Sequence, residues 1–205
     1  MAYIGMRKPK FWPITTRTDG SAITYGNPVE IGPAVSAEVV FDVADNPDYG
    51  DDVIIDNDKG VNGYTVALET NDISKEARAA CLGWKAISSG TPAAVTHYEV
   101  TGAEAPEGGL SYIRVKMFRG TKKYEAFFMH ALQFSDGNER AATKQRQIDW
   151  SHPTMNGTGI GCYLDSSGEV KYFNWMEFAM EAAAEAWINA QAGYTPPAQN
   201  AGGVT

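Results

Sequence analysis

The chain is poor in the residues from which active sites and metal centres are most often built. In 205 residues it holds two cysteines, Cys81 and Cys162, and three histidines, His97, His130 and His152. Two distant cysteines supply neither a C-x-x-C redox pair nor a zinc ligand set, and they read as small buried apolar side chains. The histidines fall in different predicted elements without ligand spacing, and no H-E-x-x-H, G-x-S-x-G or P-loop motif occurs. Bases are also scarce, 17 Lys and Arg against 25 Asp and Glu, for a net charge of −8. A protein that grips nucleic-acid phosphates needs clustered bases, so that class is disfavoured. No apolar run approaches a membrane span, and Met1 to Trp12 carries charges without the apolar core of a signal peptide. The expectation is a non-enzymatic protein that folds in a reducing cytoplasm, with no cofactor, no metal and no membrane.

The length suits one domain, or one domain with an appendage, and buries well over half of the unfolded surface without disulfides. Charge is unevenly spread. Between Glu38 and Asp58 lie Glu38, Asp42, Asp45, Asp48, Asp51, Asp52, Asp56 and Asp58, with no base among them. Between Arg114 and Arg146 lie Arg114, Lys116, Arg119, Lys122, Lys123, Arg140, Lys144 and Arg146, opposed by Glu125, Asp136 and Glu139. An acidic and a basic segment in one chain can pair between copies, or can be two independently solvated surfaces.

Period-2 alternation predicts strands at about 34–43, 61–70, 95–100, 110–118 and 122–134, with short ones at Ile23–Gly26 and Gln145–Trp150. In the longest, Tyr124, Ala126, Phe128, His130, Leu132 and Phe134 share an apolar face, which makes His130 a packed, hydrogen-bonded core residue. Arg119-Gly120-Thr121 joins 110–118 and 122–134 into a hairpin. Strands 34–43 and 61–70 form another, with Ala44–Gly60 as a loop far longer than a hairpin turn. That loop holds Val53-Ile54-Ile55 besides its acids, so it reads as a docking arm, with a short internal strand as the plainer alternative. Ser74 and Gly83 bracket a helix whose stripe is Ile73, Ala77, Ala80, Cys81 and Trp84. Residues 1–33 show little periodicity. Gly157, Gly159 and Gly161 do not match a dinucleotide loop and read as a turn and a Gly-containing strand. Asn174 and Glu177 predict a helix start, with a helix over about 175–191 whose apolar face is Met176, Ala179, Met180, Ala183 and Trp187. A flexible tail is expected from Tyr194 to Thr205.

Lys123-Tyr124-Glu125-Ala126-Phe127-Phe128, then Gln133-Phe134-Ser135, Ala142-Thr143-Lys144 and Ile148-Asp149-Trp150 resemble, in order and spacing, the signature of the major tail protein family of long-tailed bacteriophages and prophages. Residues 73–84 resemble the family's early helix. With the 34–69 hairpin the resemblance spans roughly residues 5–165, and the Glu/Ala-rich C-terminus departs from it.

The resemblance implies a mainly β fold, an antiparallel β-sandwich or barrel of the tail-tube type with one flanking helix. Residues 1–165 would be the tube domain, and 166–205 a C-terminal helical extension. It implies a structural virion protein of the phage tail, made in the host cytoplasm. Six copies would close into rings by head-to-tail pairing of sheet edges, and the rings would stack into a tube that conducts double-stranded DNA without holding it. Expected partners are other copies of the chain and the tail tip, tape measure and tail terminator proteins. The tube of a phage-derived bacteriocin or injection device is an alternative, as is a ligand-binding β-sandwich module. Contact residues expected between copies are Asp45, Asp48, Tyr49, Asp51, Asp52, Val53, Ile54, Ile55, Asp56 and Asp58 on the arm, against Lys122, Lys123, Arg140, Lys144 and Arg146. Ser36, Glu38, Asp42, Thr65, Glu69 and Glu125, on mixed strand faces, are expected to line the lumen. Arg114 and Lys116 lie on such a face too, either neutralised by carboxylates or turned outward.

Overall fold

Alternating side chains turn most of the chain into strands. The computed structural model describes residues 2–17, 23–50, 53–135, 152–163 and 169–197; of residues 2, 46–50, 53–58 and 163 it describes the backbone alone. In chain order the elements are β1 (Ala2–Thr16), β2 (Thr24–Tyr25), β3 (Val29–Glu30), β4 (Ala34–Gly50), β5 (Val53–Thr70), α1 (Lys75–Leu82), β6 (Lys85–Ser89), β7 (Ala94–Glu99), β8 (Glu107–Phe118), β9 (Thr121–Ser135), β10 (Thr154–Ile160), β11 (Cys162–Tyr163), β12 (Val170–Lys171), β13 (Phe173–Phe178) and α2 (Glu181–Gln191). The protein is mainly β, with antiparallel sheets and, among the described residues, two helices.

The main sheet runs β2-β1-β8-β9-β10-β5-β4, with β3 added to β1 and β13 to β9. β8 pairs with β9 from Thr121 to Gln133. Along its other side β9 divides: Leu132–Ser135 pair with β10, and Tyr124–Met129 pair with β13. The sheet curls, so that Phe11 of β1 and Tyr64, Val66 and Leu68 of β5 enter one core with Leu110, Leu132, Phe134 and Met155. Ile73, Ala77 and Cys81, in and just before α1, close that core. Ser74 caps α1 by accepting from the Ala77 amide, and Gly83 ends it in the left-handed conformation at φ 71°. On the opposite face of β1-β8-β9, Trp12, Ile113, Ala126 and Phe128 meet Ala184 and Ile188 of α2. Adjacent residues Phe11 and Trp12, both fully buried, thus serve different cores.

Several expectations are corrected. The 44–60 segment is not a loop. β4 and β5 stay paired through Asp45↔Lys59 and Asp48↔Asp56 to Gly50↔Val53, so the arm is a long β-ribbon. β1, within the stretch that showed little periodicity, is a long strand paired along β8. Its alternation is broken where the register shifts between Arg7 and Lys10, around Pro9 and a Lys8 at φ 51°. A β-bulge of this kind accommodates a proline that cannot donate to the ladder.

The 175–191 helix is corrected as well. Phe173–Phe178 is a strand, because the amides and carbonyls of β9 from Tyr124 to Met129 need partners and this segment supplies them. The helix begins only at Glu181, after Met180. Met176 and Met180, expected on its apolar face, are 49% and 66% exposed. The C-terminal segment is therefore built into the sheet. Tyr194, first residue of the expected tail, packs edge-on against Trp12 at 5.7 Å between ring centroids. The predicted strand at 145–150 and the tail beyond residue 197 lie outside the described residues.

β9 itself departs from simple alternation. Its register with β8 passes from Gly108↔Leu132 to Leu110↔Met129, which inserts one extra residue in β9, and Ala131 sits at φ 45°. The bulge reverses the phase of the strand. Ala126 and Phe128 face the α2 core, whereas Leu132 and Phe134 face the α1 core. The six residues expected on one face are split between two.

Candidate assembly surfaces and channel wall

Pairing register alone fixes one exposed surface. Residues directly opposite in an antiparallel ladder share a face. Four rows cross the sheet: Ser36–Glu69–Thr154, Glu38–Ala67–Asn156–Ser135, Val40–Thr65–Thr158–Gln133 and Asp42–Gly63–Ile160. These rows contain three carboxylates, hydroxyls and amides, and no Lys or Arg. Ser36 donates to Glu69 Oε2 at 2.9 Å. A shallow trough of about 400 Å³ runs between Glu38, Val40, Thr65, Ala67, Asn156 and Thr158.

Five of the six expected lumen residues, Ser36, Glu38, Asp42, Thr65 and Glu69, come together on this face. Thr154, Asn156, Thr158, Gln133 and Ser135 join them without having been anticipated. Their signal was the alternation of Thr154, Asn156 and Thr158 with Met155, Gly157 and Gly159, whose glycines disguised a buried face. A Cβ on Gly159 would stand 2.0 Å from the Tyr64 ring, so only glycine lets that ring cross β10.

Glu125 is the exception and is corrected: it is 4% exposed and cannot line a channel in this fold. Opposite residues Arg114 and Glu125 bond at 2.7 Å, and Lys116 reaches Glu125 at 2.6 Å. Lys116 and Lys123 both bind Glu177 of β13. Arg114 and Lys116 are therefore neutralised by carboxylates. The Arg114 guanidinium also lies over the rings of Tyr3 and Phe127, at 4.1 and 4.8 Å. Burial raises the Glu125 carboxyl, but hydrogen bonds from Lys116 and Arg114 more than offset this and hold it below the ordinary carboxylate range. The Lys116 ammonium is raised by its bonds to Glu125 and Glu177.

Of the expected contact residues, Asp45 bonds Lys59 across the ribbon at 3.6 Å. Lys122 is exposed, and Lys123 is held by Glu177. Asp51, Asp52, Arg140, Lys144 and Arg146 lie outside the described residues, as do the side chains of Asp48, Tyr49, Val53, Ile54, Ile55, Asp56 and Asp58. β10 ends at Ile160 opposite Gly63, so among the described residues no third strand flanks the ribbon beyond that point. From Val61 to Val53 it extends about 25 Å at strand rise. β5 and β9 are each antiparallel to β10, so the ribbon tip and Lys122 lie toward the same end of the sheet.

Besides the two-residue strands β2 and β3, and β1 before Lys10, two strands of the main sheet have a side that no described strand pairs: β4, which ends the sheet path, and β13. Both bear exposed large apolar residues. Val40 and Val43 of β4 are 55% and 54% exposed, and Trp175 of β13 is 57% exposed. Edges of monomeric proteins are usually blunted with lysine or proline, so an apolar edge marks a pairing surface.

His130 belongs to the core, as its place on an apolar face predicts. It is 1% exposed and shares a 2.8 Å hydrogen bond between Nδ1 and the Tyr25 hydroxyl. Burial, with a smaller contribution from Lys171, lowers its pKa to about 4. Burial raises the Cys81 thiol, and raises that of Cys162 to about 11, so both are thiols at neutral pH. No helix among the described residues is long and apolar enough to cross a membrane. No protein-family model and no curated protein matches the chain.

Proposed function

We propose that this protein is the structural subunit of a phage-type tail tube, closing with other copies into rings that stack into a conduit for double-stranded DNA. The observation that carries this reading is the base-free face across β4, β5, β10 and β9, which runs out to an unpaired apolar edge. A wall for DNA in transit must not bind phosphates, and each Lys or Arg it presented would add affinity by counterion release. Glu38, Asp42 and Glu69 repel phosphates, while the neutral hydroxyls and amides between them keep the surface wet.

Unlike edges at β4 and β13 suit a heterologous contact, which closes into a ring when the rotation permits. The resemblance to major tail proteins sets the expected number of copies at six. Electron microscopy of the purified protein tests the reading. Rings or tubes with sixfold symmetry are the expected result, with a tail-tip initiator added if nucleation is slow. A particle that stays monomeric at high concentration, with and without the initiator, would overturn it. A saturable small ligand on that monomer would favour a binding module instead.

A further inference from the structure

We propose that the C-terminal segment, β13 with α2, is a strap that creates one of the two joining edges, and that three glutamates latch it before β4 of a second copy can pair there. This rests on the tube reading for its partner, but not for the latch itself.

The strap attaches in three ways. β13 adds to β9 from Phe173↔Met129 to Phe178↔Tyr124. Ala184 and Ile188 cover Trp12, Ile113 and Phe128. Glu177, Glu181 and Glu185 then meet bases of three other strands. Glu177 bonds Lys116 and Lys123, Glu181 bonds Arg7 at 3.1 Å and Lys8 at 3.6 Å, and Glu185 bonds Lys8. Apolar burial supplies most of the attachment, whereas the ion pairs fix where along β9 and β1 the strap settles. Without the strap, β9 from Tyr124 to Met129 lacks a partner on that side among the described residues, and the outer edge of β13 does not exist.

The occupant of that edge is β4 of a second copy. β4 is a long unpaired edge with exposed Val40 and Val43, and the charges are complementary. Beside β13 stand Arg114, Lys116 and Lys123 against two carboxylates, whereas β4 presents Glu38, Asp42 and Asp45. An edge made by β13 and backed by α2 also withholds assembly until both have docked.

The latch is tested in the unassembled full chain by hydrogen exchange. In Glu181→Lys/Glu185→Lys, amides of β13 and α2 should exchange about tenfold faster, as loss of two or three partly exposed pairs implies, with β8 unchanged. Adding Arg7→Glu/Lys8→Glu should restore protection. Unchanged exchange in the double variant, or no recovery in the reciprocal one, overturns the latch. The joining edge is tested by Trp175→Lys/Met176→Lys, two exposed positions where lysine blunts an edge. Its expected result is a folded monomer with at least about tenfold less ring formation. Undiminished rings overturn the β13 edge. If the unaltered chain forms no rings, the tube reading falls with the edge, while exchange still decides the latch.

Discussion

The Tyr64 hydroxyl donates to the backbone carbonyl of His130, at the bulge where β9 changes face. Two more tyrosines serve the same residue. Tyr25 bonds the imidazole, and the Tyr172 carbonyl accepts from the His130 amide at 2.9 Å. A bulge removes ladder partners from its residues. Here Tyr64 and Tyr172 bond the His130 backbone and Tyr25 bonds its ring, so tyrosines from three different segments hold the point where one strand passes from the α2 core to the α1 core.

Tyr64→Phe should therefore destabilise the protein by about 1–3 kcal/mol, the cost of leaving a buried carbonyl unbonded. Urea unfolding measures it. A midpoint unchanged from that of the unaltered chain would show that the hydroxyl contributes nothing at the bulge.

His130 predicts an acid-side loss of stability. Its folded pKa lies at about 4, below the ordinary histidine value of 6.5. A lowered folded pKa contributes stability that is complete above pH 6.5 and is lost as pH falls from there toward 4. A shift of this size corresponds to about 3 kcal/mol. His130→Phe should flatten the stability curve over that window, whatever it does to stability at pH 7. An undiminished slope would assign the acid transition to other groups.

Glu125 acts in the same direction at lower pH. Its carboxyl is held below the usual range, so its contribution is present above that range and is lost as pH falls through the lowered value. Glu125→Ala leaves Arg114 and the almost fully buried Lys116 short of a carboxylate and should cost about 3 kcal/mol at pH 7. Pairing it with Lys116→Met should recover part of that loss, as thermal unfolding of the two variants would reveal. Equal losses in both would count against a coupled pair.

Glu38→Lys/Asp42→Lys tests the channel wall. Both positions are exposed on the β4 face, so the fold should be intact. Tubes should still form, because partly exposed charge pairing at the edge contributes little beside backbone pairing and apolar burial. DNA should then pass more slowly, most visibly at low salt, because each new base near a phosphate adds a salt-dependent attraction. Tube formation and DNA ejection are measured separately. Normal tubes with normal ejection would place this face elsewhere, and loss of tubes would put it between copies.

The ribbon predicts a separation of folding from stacking. Two-stranded ribbons are marginal alone and gain stability by docking. Replacing Val53, Ile54 and Ile55 with serine should leave the monomer folded and block the stacking of rings. An unchanged yield of tubes would remove the docking role.

Wherever alternation and local chemistry agree, the sequence determined the structure by itself. The β8–β9 hairpin, α1 between Ser74 and Gly83, the core placement of His130 and the mixed faces of Ser36, Glu38, Thr65 and Glu69 were legible because each depends on residues close in the chain. The tertiary structure decided the rest. β1 was hidden because Pro9 and a bulge break its period, and only β8 alongside makes it a strand. Phe173–Phe178 has the local marks of a helix start, yet the open side of β9 and the bases Lys116 and Lys123 draw it into the sheet. Phe128 and Leu132 have the same parity and lie in different cores, because a single inserted residue reverses a period-2 pattern. Glu125 looked like a surface acid from its neighbours in sequence. Arg114 on the adjacent strand and Lys116 beyond it are what allow a buried carboxylate to stay charged, and no local pattern encodes a partner across a sheet.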